Sequence, residues 1–433
     1  MMNRIWNMVL GLARPLAVWL SFFLVLGLSK GALAGVPALL VATLVALVLW
    51  HRRTRQICKD GWRGLSTRAR SMRVLPLVLT LLPLGVLMMP EASTRLQPLP
   101  DDPGVQYWPT SDGRSVAVYR FAPSPSVPDR HQALVFVHGG PGAYIRNFDR
   151  DFLAGFARDG FEVVLYDQFG SGRSPLGDAA SYNHEGNVAD LLAVLDRVAK
   201  PAVLLGQSYG AAVITSALQS PRAHNWVRQV VLTEPGKLPG GISELDPTQT
   251  DKTTIAPDAS EAPSLSVLSS MLAPRMLAAT FLPAGNHFVP QEELINLATP
   301  AVQRSLIASG YCRGGAAQLD QFEALRFNPA ANVAVSQSAL KAQRPKWMAL
   351  NLPVMLLLGE CSYVPRGRAM AYFDVLPIAR SQWLPGVGHI LWGTPAGQAM
   401  TRDAVLRFVD GKPAAMADEP TAASRGRFVK AGR

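Results

Sequence analysis

Apolar positions are spread unevenly along the chain, and the first ninety residues hold the densest runs of them. Residues 5–28 are apolar apart from Asn7 and Arg14, and residues 31–50 form twenty positions without a charge, about the length that crosses a hydrocarbon core. A third stretch, residues 74–90, is uncharged over seventeen positions, although Pro76 and Pro83 weaken it as a straight helix. The pattern predicts about three transmembrane helices forming a membrane anchor over residues 1–90. The next stretch, EASTRLQPLPDDPG at 91–104, mixes proline with charge and has no apolar period, which reads as a linker.

Beyond the linker the period changes. VQYWPT and SVAVYRFA, separated by Ser111-Asp112-Gly113, predict a hairpin. ALVFVH (133–138), FEVVLYD (161–167), AVLLG (202–206), WVRQVVLT (226–233) and PVMLLLG (353–359) are short apolar runs of buried-strand type. Helical stretches near 143–158, 187–198 and 209–219 separate them. Strand and helix in alternation predict an α/β core over 105–234 and 346–410, with a mostly parallel sheet covered on both faces. Between the two parts, residues 235–345 carry helical pattern and no obvious buried strand, which reads as an inserted helical cap. Residues 394–409 predict a closing helix, and 411–433, rich in Pro, Ala and Arg, a disordered tail.

Charge gives the anchor a direction. Residues 1–90 carry eleven Lys or Arg against one acid, Asp60, and so account for +10 of the chain's net +11. The remainder is nearly neutral, which excludes the basic face that nucleic-acid binding requires. Eight of the eleven lie between the second and third spans, at 51–73, and such a loop stays in the cytoplasm. Everything after Pro90 is then delivered to the far side, the periplasm for a bacterial inner-membrane protein. A cleaved signal peptide ending near Ala32-Leu33-Ala34 is the alternative, and the second apolar stretch that follows at once speaks against it. Cys312 and Cys361 fall in the exported part, where pairing and two free thiols are both open.

Gly206-Gln207-Ser208-Tyr209-Gly210 follows a predicted strand and opens a helical stretch. That context makes Ser208 a candidate nucleophile on a sharp strand-to-helix turn. A serine hydroxyl needs a base, and among the seven histidines His389, in the glycine-rich loop LPGVGH after the last predicted strand, has the matching place in chain order. His51, His131, His184, His224 and His287 read as surface or packing residues. His138-Gly139-Gly140-Pro141-Gly142 after the strand ALVFVH offers an unobstructed backbone N–H for a developing oxyanion. Gly140 is the expected donor there, with the Tyr209 N–H as its partner.

HGGPG at 138–142, YDQFGSGRS at 166–174, GQSYG at 206–210 and GVGH at 386–389 together resemble the proline iminopeptidase and tricorn-interacting aminopeptidase group of α/β-hydrolases, over about residues 105–410. The resemblance implies an α/β-hydrolase fold, an activity that in peptidase members removes an N-terminal residue, and structural rather than catalytic roles for Asp167 and Arg173. The chain departs from the family at the triad acid, because Gly359-Glu360-Cys361-Ser362 puts serine where the pattern has aspartate. Glu234, at the tip of the strand WVRQVVLT, is the favoured substitute and Glu360 the runner-up. A neutral group or water beside His389 is the third possibility.

The expectation is therefore a serine hydrolase cleaving an ester or amide in a small molecule or short peptide through an acyl-enzyme, with no metal or organic cofactor implied. Aminopeptidase and carboxylesterase or lipase action both fit. A non-catalytic binding protein on the same scaffold is the alternative from another class, carried by the missing aspartate alone. An aminopeptidase needs carboxylates for the substrate's ammonium, and the cap offers Glu292, Glu293, Asp320 and Glu323, which also read as ordinary solvated helix faces.

Overall fold

The computed structural model describes residues 2–28, 35–57, 66–90, 92–96, 98–99, 101–240, 274–281, 289–312, 326–348, 351–364 and 366–415. It divides into two compact units, Met1–Leu96 with Ser269–Leu297, and Gln97–Leu268 with Ala298–Arg433.

Three helices dominate the first unit, α1 (Met2–Leu28), α2 (Gly35–Ile57) and α3 (Thr67–Met88). Ala38, Ala42 and Ala46, one turn apart on α2, are buried in one cluster with Val18, Phe22 and Leu26 of α1 and Leu84 of α3, small side chains letting the helices approach closely. The opposite faces carry Leu16, Leu20, Leu24, Leu40, Leu44, Leu79 and Leu82, each at least 58% exposed. Trp19 Nε1 donates to Thr80 O at 3.1 Å, in the turn that Pro83 interrupts. The basic stretch expected as a loop is shorter than its 23 residues, because 51–57 continue α2 and 67–73 begin α3; arginine is a good helix former and no glycine or proline intervenes at those positions. Among the described residues no helix is long and apolar enough to cross a membrane, and part of the expected second span, 31–34, lies outside them. In the same unit the fully buried Glu293 takes a bidentate ion pair from Arg275, at 2.7 Å through each oxygen.

The second unit is built on an eight-stranded sheet: β1 (Val105–Pro109), β2 (Ser115–Phe121), β3 (Ala133–Val137), β4 (Glu162–Tyr166), β5 (Ala202–Gln207), β6 (Val227–Thr233), β7 (Val354–Gly359) and β8 (Ile378–Leu384). Their order is β1-β2-β4-β3-β5-β6-β7-β8, antiparallel at β1–β2 and β2–β4 and parallel elsewhere. Every residue of β3, β4, β5 and β7 is buried, as parallel strands covered on both faces must be. Alternate residues feed two cores. Val135, Val137, Ala202 and Leu204 pack with helices His184–Val198 and Tyr209–Ala217, whereas Leu134, Phe136, Val203 and Leu205 pack with Leu153, Trp392, Val405 and Phe408 on the other face.

β8 is absent from the apolar runs named above because Arg380, Ser381 and Gln382 interrupt it. Within the expected cap, helix Gln291–Ser309 runs on through Thr299-Pro300, and Pro329–Lys341 is a helix whose apolar period is weak. Asp320 and Glu323 lie outside the described residues, as do most of the expected tail and residues 241–273 of the expected cap.

Candidate active site

The carboxyl ends of the parallel strands bring together the residues singled out by motif. β5 ends at Gln207, Ser208 follows, and the helix Tyr209–Ala217 begins at once. Ser208 has φ 53° and ψ −117°, a conformation that costs a non-glycine residue about 1–3 kcal/mol and persists only where its surroundings enforce it. They do so here through its N–H, which donates to Thr233 O at 2.9 Å, and its carbonyl, which accepts from Gly236 N at 3.0 Å. Gly210 has no room for a side chain, because a Cβ there would run into the carbonyl of Val137. The peptide N–H of Tyr209, first in the helix, belongs to the turn that has no intrahelical acceptor.

His389 lies on the loop after β8 and is 3% exposed. It lines one cavity with Ser208, Gly139 and Gly140. Its ring rests against Tyr363, centroids 4.4 Å apart, and its carbonyl accepts from the Gln207 side chain at 3.3 Å. Two groups face Nδ1: Glu234 Oε2 at 3.6 Å and Ser362 Oγ at 3.4 Å. Glu234 is 2% exposed, holds φ 48° one residue past β6, and accepts the Gly359 N–H through Oε1. Glu360 is elsewhere: it is exposed and accepts from Gly386 N at 2.8 Å. Ser362, which occupies the acid position of the family pattern, also accepts the Val364 N–H at 3.1 Å.

The glycine-rich loop is held from below by neutral polar groups. Gly140 has φ 123° and precedes a cis peptide bond to Pro141. His138 Nε2 accepts from Gln168 N at 2.9 Å, so Nδ1 carries the proton and donates to Gly139 O at 2.7 Å. Burial lowers the His138 pKa to about 4, which keeps that tautomer neutral. Asn187 bridges Gln168 to the Tyr209 hydroxyl, and His184 bridges Tyr209 to Ser216 at 2.9 Å on each side; its pKa is also lowered by burial to about 4. Asp167 is structural in its bonds, accepting the N–H groups of Ile145 and Arg173. Cys312 and Cys361 are joined in a disulfide. It ties the segment that receives Ile390 N at Gly310 O to the loop holding Ser362.

The sequence reading missed a buried ion pair in the cavity wall. Arg146 and Asp149 are bonded at 2.6 and 2.8 Å, and Trp392 Nε1 donates to Asp149 at 2.7 Å. The sequence carries Arg-Asn-Phe-Asp at the start of this helix, a spacing that puts the two charges one turn apart without saying which way they face. Among the described residues no group of three or more His, Cys, Asp or Glu is placed to hold a metal ion.

Solved structures similar to the chain include a thermophilic esterase from Thermogutta terrifontis (16% identity, 71% of this chain and 98% of that one, TM-score 0.48) and an esterase from Rhodococcus sp. (19%, 72% and 100%, 0.42). A proline iminopeptidase-related protein from Thermus thermophilus is similar to the same degree (20%, 71% and 98%, 0.43). No curated protein sequence matches the chain. The model of the alpha/beta hydrolase family matches residues 134–400, a span from β3 to the closing helix that takes in every residue of the cavity wall, and the chain belongs to that family.

Proposed function

We propose that the protein is a membrane-anchored serine hydrolase that cleaves an ester or amide through an acyl-enzyme. The observation that carries this reading is Ser208, held at positive φ between β5 and its helix, in one cavity with His389. Ser208 Oγ attacks the carbonyl carbon, His389 Nε2 takes the hydroxyl proton and returns it to the leaving group, and water then releases the acyl group by the same route. Glu234 orients the imidazole from Nδ1 and stabilises its charged form. The N–H groups of Gly140 and Tyr209 receive the oxyanion. Labelling of the purified full chain with a fluorophosphonate tests the reading, since only an activated serine reacts; it fails if well-folded protein takes up no label.

Three features support the anchor. The helices of the first unit bury alanine between them and expose leucine outward, the reverse of a water-soluble bundle. The flanking charge is strongly basic over residues 51–73. The catalytic unit carries a disulfide, which persists in oxidising compartments and so favours the periplasmic side of an inner membrane. Membrane and a small-molecule or short-peptide substrate are the partners this reading names, and nucleic acid is not among them.

A further inference from the structure

We propose that Arg146 makes the cavity selective for acyl groups that carry a carboxylate, an inference that rests on Ser208 being the nucleophile. The Arg146–Asp149 pair forms part of the wall that Ser208 and His389 also line. Its two halves are not equally spent. Asp149 Oδ1 accepts from Arg146 Nη2 and Trp392 Nε1, and Oδ2 accepts from Arg146 Nε and the Arg146 N–H. A carboxylate offers about four acceptor positions, so those of Asp149 are filled and it has nothing left for a substrate ammonium.

Arg146 has five N–H groups, of which Asp149 takes two from the side chain. Nη1 donates to no described residue and is not among the unbonded atoms sealed from solvent, so its two N–H groups are open to an occupant of the cavity. The guanidinium is fixed in place, stacked 4.4 Å over the Phe148 ring and 9% exposed. A held, weakly hydrated donor fork in a half-closed cavity suits a carboxylate oxygen, while Tyr144, Val302, Phe327 and Ile390 supply an apolar wall for the connecting carbons. Among the described residues lining the cavity, Asp149 is the one carboxylate, and its acceptor positions are filled. The cavity therefore favours the hydrolysis of monoesters or amides of short dicarboxylic acids over the release of an amino-terminal residue.

The test compares Ser208 labelling rates in the full chain for two fluorophosphonates of equal length, one ending in a methyl group and one in a carboxylate. The expected result is labelling by both, with the carboxylate probe faster by tenfold or more. In Arg146→Gln with Asp149→Asn, which removes both charges and leaves an amide pair, the two rates come within about twofold; Arg146→Lys keeps part of the preference. Equal rates in the wild type, or a preference that survives the double substitution, overturns the inference while leaving the serine hydrolase intact. Labelling by neither probe overturns the nucleophile itself, and with it the inference. The methyl probe also reports whether each variant has folded.

Discussion

At His389 two different oxygens compete for one ring nitrogen. Glu234 Oε2 stands 3.6 Å from Nδ1 and Ser362 Oγ 3.4 Å, so distance alone does not rank them, but only the carboxylate stabilises an imidazolium. Glu234→Gln is expected to lower kcat by on the order of 10²–10⁴-fold, and Ser362→Ala by less than about tenfold; the reverse order in steady-state kinetics assigns the role to Ser362. Below the site, His184 gives a pH-dependent signature. Burial lowers its pKa from 6.5 to about 4, so between those values the unfolded chain binds a proton that the folded chain refuses, and the contribution of His184 to stability is lost as pH falls. Thermal unfolding of wild type against His184→Gln should show the wild type's relative advantage shrinking by up to about 3 kcal/mol from pH 6.5 to pH 4. A gap that widens on acidification contradicts this. Ser208 and His389 were legible as candidates at this scale because GQSYG and GVGH carry their own backbone requirement, and the structure places both in one cavity wall. Arg146 and Asp149 were not, because an i, i+3 charge pair reads alike whether it faces solvent or a cavity.

Among the elements, strands announced themselves wherever both faces are covered, as in ALVFVH and PVMLLLG, since every position must then be apolar. β8, at the sheet's edge, did not, because the consecutive polar residues Arg380, Ser381 and Gln382 interrupt its apolar pattern, two of them buried. The helix Gln291–Ser309 carries Pro300 inside it. Leu205, fully buried between β5 and the face of Trp392 and Val405, should cost about 2–5 kcal/mol when replaced by alanine, measured by denaturant unfolding. The Cys312–Cys361 disulfide bears on two loops, for Cys361 N also donates to Val387 O. Its reduction should remove about 2–4 kcal/mol and lower turnover by loosening the loops around His389. Unchanged activity and unfolding midpoint in reductant would show that the loops hold without it.

For the whole molecule, charge and apolar period change together near Pro90 and separate a basic, leucine-rich stretch from an almost neutral one, whereas the grouping of Ser269–Leu297, read as part of the cap, with the N-terminal helices left no such mark on composition. The expected count of three spans was less plain in the sequence, since Pro76 and Pro83 weaken the third stretch as a straight helix. The anchor reading predicts that the full chain stays with membranes through high-salt and alkaline washing, and that protease added to the periplasmic face removes the hydrolase unit while 51–73 stays protected. Release by salt, or cleavage only from the cytoplasmic face, contradicts it. The most direct test of the central claim is fluorophosphonate labelling of the full chain beside its Ser208→Ala and His389→Ala variants. The account predicts a labelled wild type, no label in Ser208→Ala and a label slowed by orders of magnitude in His389→Ala; label retained in Ser208→Ala, or none in folded wild type, contradicts it.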